Sequence, residues 1–229
     1  MFKKKKILAI IPAREGSKGL KNKNIKKLLN KPLYVHSVEF AINCKFIDKI
    51  CVTTNIKKII NEFSRNKKIL LVKRNSKLSN DKAKSVDVIF DALKKIDHLN
   101  YDYFILLEPT SPLRSSNDIK KGLSKIIQTD SDNIVSVSEN VSCSPEFLYS
   151  MNERNKIKPF MIKNNLHTRR QDIRNKTFFL NGTFYISNIK RFLRSRNLFK
   201  NALGYITQKK YSFEIDDKFD LKILKYLMK

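Results

Sequence analysis

Several things are scarce in this sequence of 229 residues, and each scarcity removes a class of answer. Its three cysteines, Cys44, Cys51 and Cys143, are odd in number, widely spaced and set beside apolar residues, so they read as reduced thiols rather than a disulfide framework. There is no Cys-x-x-Cys pair, and the three histidines, His36, His98 and His167, are scattered, which leaves no zinc-type ligand spacing. Long apolar runs are missing as well. Behind the basic start Met-Phe-Lys-Lys-Lys-Lys the apolar stretch covers only Ile7 to Ile11 before Pro12 and Arg14, too short for a secretory h-region, and nothing approaches membrane-spanning length. A cytoplasmic protein with no membrane insertion is therefore expected. Acidic residues are few, 21 against 48 Lys and Arg, giving a net charge of +27 and an isoelectric point near 10.0. Such a balance is the footprint of nucleic-acid binders. Here, however, the cations are spread through segments such as KKIINEFSRNKK and DALKKIDHLN, and aromatics do not interleave with them in a recognition motif, so the expectation is salt-sensitive polyanion binding and no specific nucleic acid.

What is present is alternation. Strand-like apolar runs alternate with helical patterns, the signature of βαβ units around a parallel sheet. Strands are predicted at Ile7–Ile11, ended by Pro12, and at Lys49–Thr53, Ile69–Val72, Tyr103–Leu107 and Ile134–Val137. Helices are predicted from Pro32 to Asn43, from about Ile56 to Asn66, from about Asp81 to Ile96, and after a cap at Ser115 or Ser116, with Ile119, Leu123, Ile126 and Ile127 as its apolar stripe. From about 139 to 175 the pattern becomes polar and irregular, with Pro145 and Pro159, and reads as an excursion from the sheet. Phe178–Ile186 resumes as a strand, interrupted at Asn181-Gly182 in the manner of a bulge. A further strand, a short extended acidic segment and an amphipathic helix close the chain. Residues 1–229 make one α/β domain with an inserted arm at about 139–175.

Four segments could carry chemistry. After the first strand, Arg14-Glu15-Gly16-Ser17-Lys18-Gly19 joins glycines able to take positive φ to Arg14, Lys18, Lys21 and Lys23, a combination suited to polyphosphate oxygens. It matches neither the Walker nor the dinucleotide fingerprint. Glu108-Pro-Thr-Ser-Pro-Leu-Arg114, again behind a buried strand, offers Thr110, Ser111 and Arg114 as donors on a rigid turn suited to substrate positioning. In Glu214-x-Asp216-Asp217 the first two carboxylates share a face of an extended segment and suit Mg²⁺, which takes one or two carboxylates plus phosphate oxygens, while Asp217 is placed to cap the last helix. Arg169-Arg170-Gln171 together with Asn181-Gly182 could clamp an anion or a sugar.

Taken in order, IIPAREGSKGLKNKNI, LLEPTSPLR, RRQDI, NGTFYI and EIDDKFDL resemble the acylneuraminate cytidylyltransferases, which make CMP-activated sialic acids and related nine-carbon keto acids. The resemblance implies a Rossmann-like, mostly parallel sheet flanked by helices, of the nucleotide-diphospho-sugar transferase type, with a small dimerisation arm. It implies a Mg²⁺-dependent reaction of CTP with a nonulosonic acid (sialic, legionaminic or pseudaminic), releasing pyrophosphate, in a homodimer that serves cell-surface polysaccharide biosynthesis. It assigns Arg14 and Lys18 to the triphosphate as catalytic residues, with Ala13, Gly16, Ser17, Asn24, Arg74 and Ser85 around the nucleotide. Glu108, Thr110, Ser111, Arg170 and Asn181 fall on the sugar side, and Asp216, catalytic, with Glu214 on the metal. Many members carry Gln where this chain has Glu108, and an acidic side chain there would repel an acidic sugar unless it were protonated, faced donors, or served another substrate. The alternatives are a nucleotidyltransferase for another sugar, such as the eight-carbon acid of lipopolysaccharide, and a basic nucleic-acid-binding protein.

Overall fold

A computed structural model of the protein describes residues 1–17, 19–140, 144–160 and 176–228. Its elements in chain order are β1 (Ile7–Ala13), β2 (Lys27–Leu28), β3 (Lys31–Pro32), α1 (Leu33–Asn43), β4 (Lys49–Thr54), α2 (Lys57–Phe63), β5 (Ile69–Lys73) and α3 (Ser85–Lys94). They continue with β6 (Tyr103–Leu106), α4 (Ser116–Thr129), β7 (Asn133–Glu139), β8 (Tyr149–Met151), β9 (Ile157–Pro159), β10 (Phe178–Asn188), α5 (Ile189–Ser195), β11 (Ala202–Ile206) and α6 (Lys218–Leu227). Seven strands form one sheet in the order β11-β7-β10-β6-β1-β4-β5. Among the described strands of this sheet only β10 runs against its neighbours, pairing antiparallel with both β6 and β7. The remaining pairs, β1 with β4 and β6, β4 with β5, and β11 with β7, are parallel.

The apolar runs form central strands because both of their faces are covered. Along β1 the side chains alternate. Ile7, Ala9 and Ile11 enter one core with Tyr34 and Val38 of α1, Ile59 of α2 and Ile119, Leu123 and Ile126 of α4. Leu8 and Ile10 enter the other, with Ile89 and Leu93 of α3 and Phe192 of α5. A third, small cluster of Leu20, Leu28, Leu33, Ile215 and Leu224 lies apart from both and bears directly on the site.

Several expected boundaries move: Pro32 closes β3 and α1 starts at Leu33, α2 stops at Phe63 rather than about Asn66, and α3 starts at Ser85 rather than about Asp81. Pro12 does not end β1; the ladder runs on, pairing Pro12 with Thr53 and Ala13 with Thr54. Pro12 shares its orientation with Ile10, whose carbonyl accepts from the Leu107 amide, so its missing N–H falls on the β6 side, where the pairing has already stopped at Ile10. The hairpin of β2 and β3, turning on Leu29 and Asn30 at positive φ, was not legible from two-residue strands. The caps fall as expected: the Ser115 hydroxyl accepts from the Asp118 amide at 3.2 Å, and Asp217 caps α6 in a reciprocal box with Asp220. The register of β10 shifts between Leu180 and Tyr185, a stretch that includes Asn181 and Gly182, the latter at φ +61°.

Within the expected arm, residues 144–160 form a turn at Pro145–Phe147 and the separate antiparallel hairpin of β8 and β9. Cys44 and Cys51 are buried free thiols, and Cys143 lies outside the described residues. No described helix is long and apolar enough to cross a membrane.

Candidate active site

From β1 the chain moves outward through β4 to β5 and then returns to the other flank of β1 as β6, so the direction of winding reverses between β1 and β6. A crevice opens outside the carboxyl ends of strands at such a point. Here it is a cleft of about 210 Å³ whose lining includes Pro12, Arg14, Ser17, Lys23, Asn24, Arg74, Ser85, Glu108 and Thr110.

The loop behind β1 is held by its own side chains. The Asn24 amide donates to the Arg14 carbonyl at 2.7 Å, and the Ser17 hydroxyl donates to the Leu20 carbonyl at 2.7 Å while accepting from the Lys23 amide at 2.8 Å. Gly16 takes φ +73°. Leu20 is pinned in the small cluster with Ile215, and a Cβ at Gly19 would come within 2.8 Å of the Asp216 carbonyl. Sequence-distant segments are thereby brought together: the loop and the acidic segment pack backbone to backbone, and Ile215 N–H donates to the Thr110 carbonyl at 2.9 Å.

Positive charge gathers on one wall. Arg14 bonds the Gly16 carbonyl at 2.7 Å and pairs with Asp81 at 2.5 Å. Arg74, 7% exposed, donates through Nε to the Leu78 carbonyl at 2.7 Å. Burial, and then the neighbouring Arg14 guanidinium, push the Arg74 guanidinium down to about 10. Lys23 Nζ lies 2.8 Å from Asp216 Oδ1, with the lysine side chain 12% exposed and the aspartate 80%. Two of these cations already meet a carboxylate, Arg14 at Asp81 and Lys23 at Asp216, yet together with Arg74 they leave this part of the cleft rich in donors suited to anionic oxygens.

Negative charge gathers opposite. Burial, and then the Glu214 carboxylate, push the Glu108 carboxyl up to about 7. Burial also raises Glu214, against the opposing effect of Ser111, whose hydroxyl donates to Glu214 Oε1 at 3.2 Å. Gly182, at φ +61°, leaves room for that carboxylate, because a Cβ there would sit 1.6 Å from Glu214 Oε1.

The residues singled out from sequence separate into three groups. Arg14, Ser17, Asn24, Arg74, Ser85, Glu108 and Thr110 line the cleft, while Ala13 and Gly16 supply the backbone beneath it. Ser111 and Asn181 are buried behind it: Ser111 fixes Glu214, and both amide hydrogens of Asn181 are occupied, by Ser138 Oγ at 2.7 Å and Thr207 Oγ1 at 2.6 Å, while its Oδ1 accepts from the Thr183 amide. Lys18 and Arg170 lie outside the described residues. Arg114 differs from its expected positioning role. It binds the Thr183 carbonyl at 2.8 Å, Ser37 Oγ at 2.9 Å and the Glu108 carbonyl, clamping β10 and α1 to the Glu108 loop, and burial pushes it down to about 9. Lys23, read from sequence as one loop cation among several, is among the described residues the one facing Asp216, a pairing across 193 positions that no local pattern signals.

Glu214, bonded by Ser111, and Asp216, paired with Lys23, lie near enough for the Asp216 charge to raise Glu214, while among the described residues no three His, Cys, Asp or Glu side chains converge as a metal cage. That donor set fits an ion such as Mg²⁺ that completes its shell with phosphate oxygens and water.

Fold and cleft together define an open α/β domain with a crevice lined by Arg14, Lys23 and Arg74 at its winding reversal. Residues 8–224 match the family model described as cytidylyltransferase, and the chain belongs to that family. It is 34% identical over 218 residues to an N-acylneuraminate cytidylyltransferase of Streptococcus agalactiae serotype III, covering 94% of this chain and 51% of that protein, so the chain spans about half the length of that relative. It is 31% identical to a pseudaminic acid cytidylyltransferase of Campylobacter jejuni, covering 98% of this chain and 97% of the relative. A CMP:2-keto-3-deoxy-manno-octonic acid synthetase complexed with CTP shares the fold, with a TM-score of 0.68 at 16% identity over 97% of this chain and 98% of that one.

Proposed function

We propose that this protein transfers CMP from CTP to the anomeric hydroxyl of a nonulosonic acid of the sialic, legionaminic or pseudaminic type, releasing pyrophosphate. The observation that carries this reading is the convergence of Arg14, Lys23 and Arg74 on one strand-end cleft in a chain whose relatives are named for such sugars. The sugar hydroxyl attacks the α-phosphorus. A bond forms from the anomeric oxygen to phosphorus as the bond to the bridging oxygen breaks, pyrophosphate leaves with the electron pair, and the hydroxyl proton is released to solvent. There is little covalent work for the protein in such a step, so catalysis is positioning and charge neutralisation. Arg14 and Arg74 hold the triphosphate, Lys18 belongs to the same loop, and Asn24 and Ser17 keep that loop in shape. Asp216 and Glu214 would hold Mg²⁺, which supplies further neutralisation of the phosphate oxygens when bound. On the acceptor side Thr110 offers a hydroxyl. Glu108, raised to about 7, is protonated for a substantial fraction of the time near neutrality and so does not oppose an acidic sugar as an ordinary carboxylate would.

The eight-carbon acid remains the rival acceptor, supported by likeness of fold alone. Phosphate release measured with Mg²⁺, CTP, pyrophosphatase and a panel of sialic, legionaminic, pseudaminic and eight-carbon acids separates the two. Turnover with none of the nine-carbon acids would refute the reading. We assign the site of action to the cytoplasm, where CTP is available, and the working form to a homodimer. Leu148, Tyr149, Met151, Ile157 and Phe160 on and beside the β8–β9 hairpin, and Phe178 to Leu180 of β10, are all exposed, and a second copy would cover them.

A further inference from the structure

Beside the nucleotide cleft, beyond the end of β5, lies a second and larger cavity of about 560 Å³. Its wall is basic. Lys73 closes β5, Arg74 follows it, and Lys95 caps the carboxyl end of α3; among the described residues no carboxylate lines the cavity. Lys95 Nζ donates to the Lys73 carbonyl at 3.1 Å and to Asp91 Oδ2 at 2.7 Å, drawing the end of α3 onto the end of β5 and setting the shape of the opening. The other donors are less engaged. Lys73 Nζ has no partner among the described residues, and Arg74, more than nine-tenths buried, makes its one described hydrogen bond through Nε, with the Asp91 carboxylate and the Arg14 guanidinium acting on it through their charge. Asn55, also on the wall, accepts the Glu15 amide through Oδ1 at 2.9 Å, which leaves its amide hydrogens available.

A concave surface with an unpaired ammonium, a buried guanidinium and a free amide has the donor chemistry of an oxyanion site. Charge-assisted hydrogen bonds from such groups are about twice as strong as neutral ones, and the guanidinium fork matches phosphate geometry. The sheet supplies the placement: β4 and β5 both end here, so their outgoing residues, Asn55, Lys73 and Arg74, converge without any glycine-rich loop. We propose that this cavity is a second anion site, taking inorganic phosphate or diphosphate, separate from the cleft lined by Arg14. Arg74 forms the shared wall between the two. The proposal stands whether or not the transferase reading above holds, since it rests on this cavity alone.

Calorimetric titration of the full chain with phosphate and with diphosphate, at low ionic strength and without metal, tests it in the wild type, in Arg14→Ala and in the double variant Lys73→Ala/Lys95→Met. The wild type should show two saturable diphosphate events, of which Arg14→Ala weakens one and leaves the other. The double variant should keep the cleft event within about twofold and weaken the other at least about tenfold. Should the loss of Lys95 loosen α3, as circular dichroism would report, Ser79→Asp places a carboxylate on the same wall with both lysines intact and should produce the same selective loss. A single event removed by Arg14→Ala and indifferent to the outer substitutions overturns the proposal. So does weak, non-saturating binding that every variant lowers alike, which would be diffuse attraction to a chain of net charge +27.

Discussion

Glu108→Gln should stabilise the protein above pH 7 and leave its stability unchanged below about pH 4.5. Burial and the Glu214 carboxylate hold the Glu108 carboxyl at about 7 rather than 4.5, and Arg114 only partly relieves it, because Nη2 donates to the Glu108 backbone carbonyl. In the unfolded chain the proton leaves near 4.5; in the folded chain it stays until about 7. Through that window the folded state binds more protons, so its stability falls as pH rises and levels off above 7. The full shift corresponds to a loss of about 3 kcal/mol at 1.36 kcal/mol per pH unit. Because Glu214 is raised in the same space and the two carboxyls titrate jointly, removing one charge should recover ~1–2 kcal/mol at pH 8. Gln keeps the shape and removes the ionisation. Urea unfolding of both proteins in EDTA at pH 4.5 and pH 8 measures the difference. Parallel pH profiles would refute the reasoning, as would a wild type more stable than the variant at pH 8, since either would mean an ionised and well-paired Glu108.

Three further outcomes follow from the same geometry. Gly182→Ala puts a Cβ onto the Glu214 carboxylate at a positive φ, so it should destabilise the fold by about 1–3 kcal/mol and lower the rate by displacing Glu214; full activity with unchanged unfolding would count against that placement. Asn181→Ala removes a buried amide that satisfies Ser138, Thr207 and Thr183, and should reduce stability by about 2–3 kcal/mol while leaving KM for the sugar near its wild-type value; a rise in KM without loss of stability would restore Asn181 to the substrate. Arg14→Ala should lower kcat/KM for CTP by about 100-fold or more with little change in melting temperature, measured by steady-state kinetics and thermal unfolding, because Arg14 is held by an exposed ion pair and one loop carbonyl.

The sequence by itself determined the sheet and the location of its chemistry. Runs such as Ile7–Ile11 and Tyr103–Leu107, of strand length and bounded by turn residues, suit strands buried on both faces, and the glycine-and-cation loop and Glu108-Pro-Thr-Ser-Pro follow those strands directly, so each lies at a carboxyl end. Helix caps at Ser115 and Asp217 and the interruption around Gly182 were equally local, written in a few adjacent residues. Pairings across long separations were left to tertiary structure, because no sequence period links them. Lys23 meets Asp216, Arg114 turns from the substrate to clamp Thr183 and Ser37, and Gly182 makes space for Glu214. Pro12 shows the same division in a single residue. Its ring signals the end of a ladder, yet β1 continues through it, because only the folded sheet decides which neighbour the absent N–H would have faced.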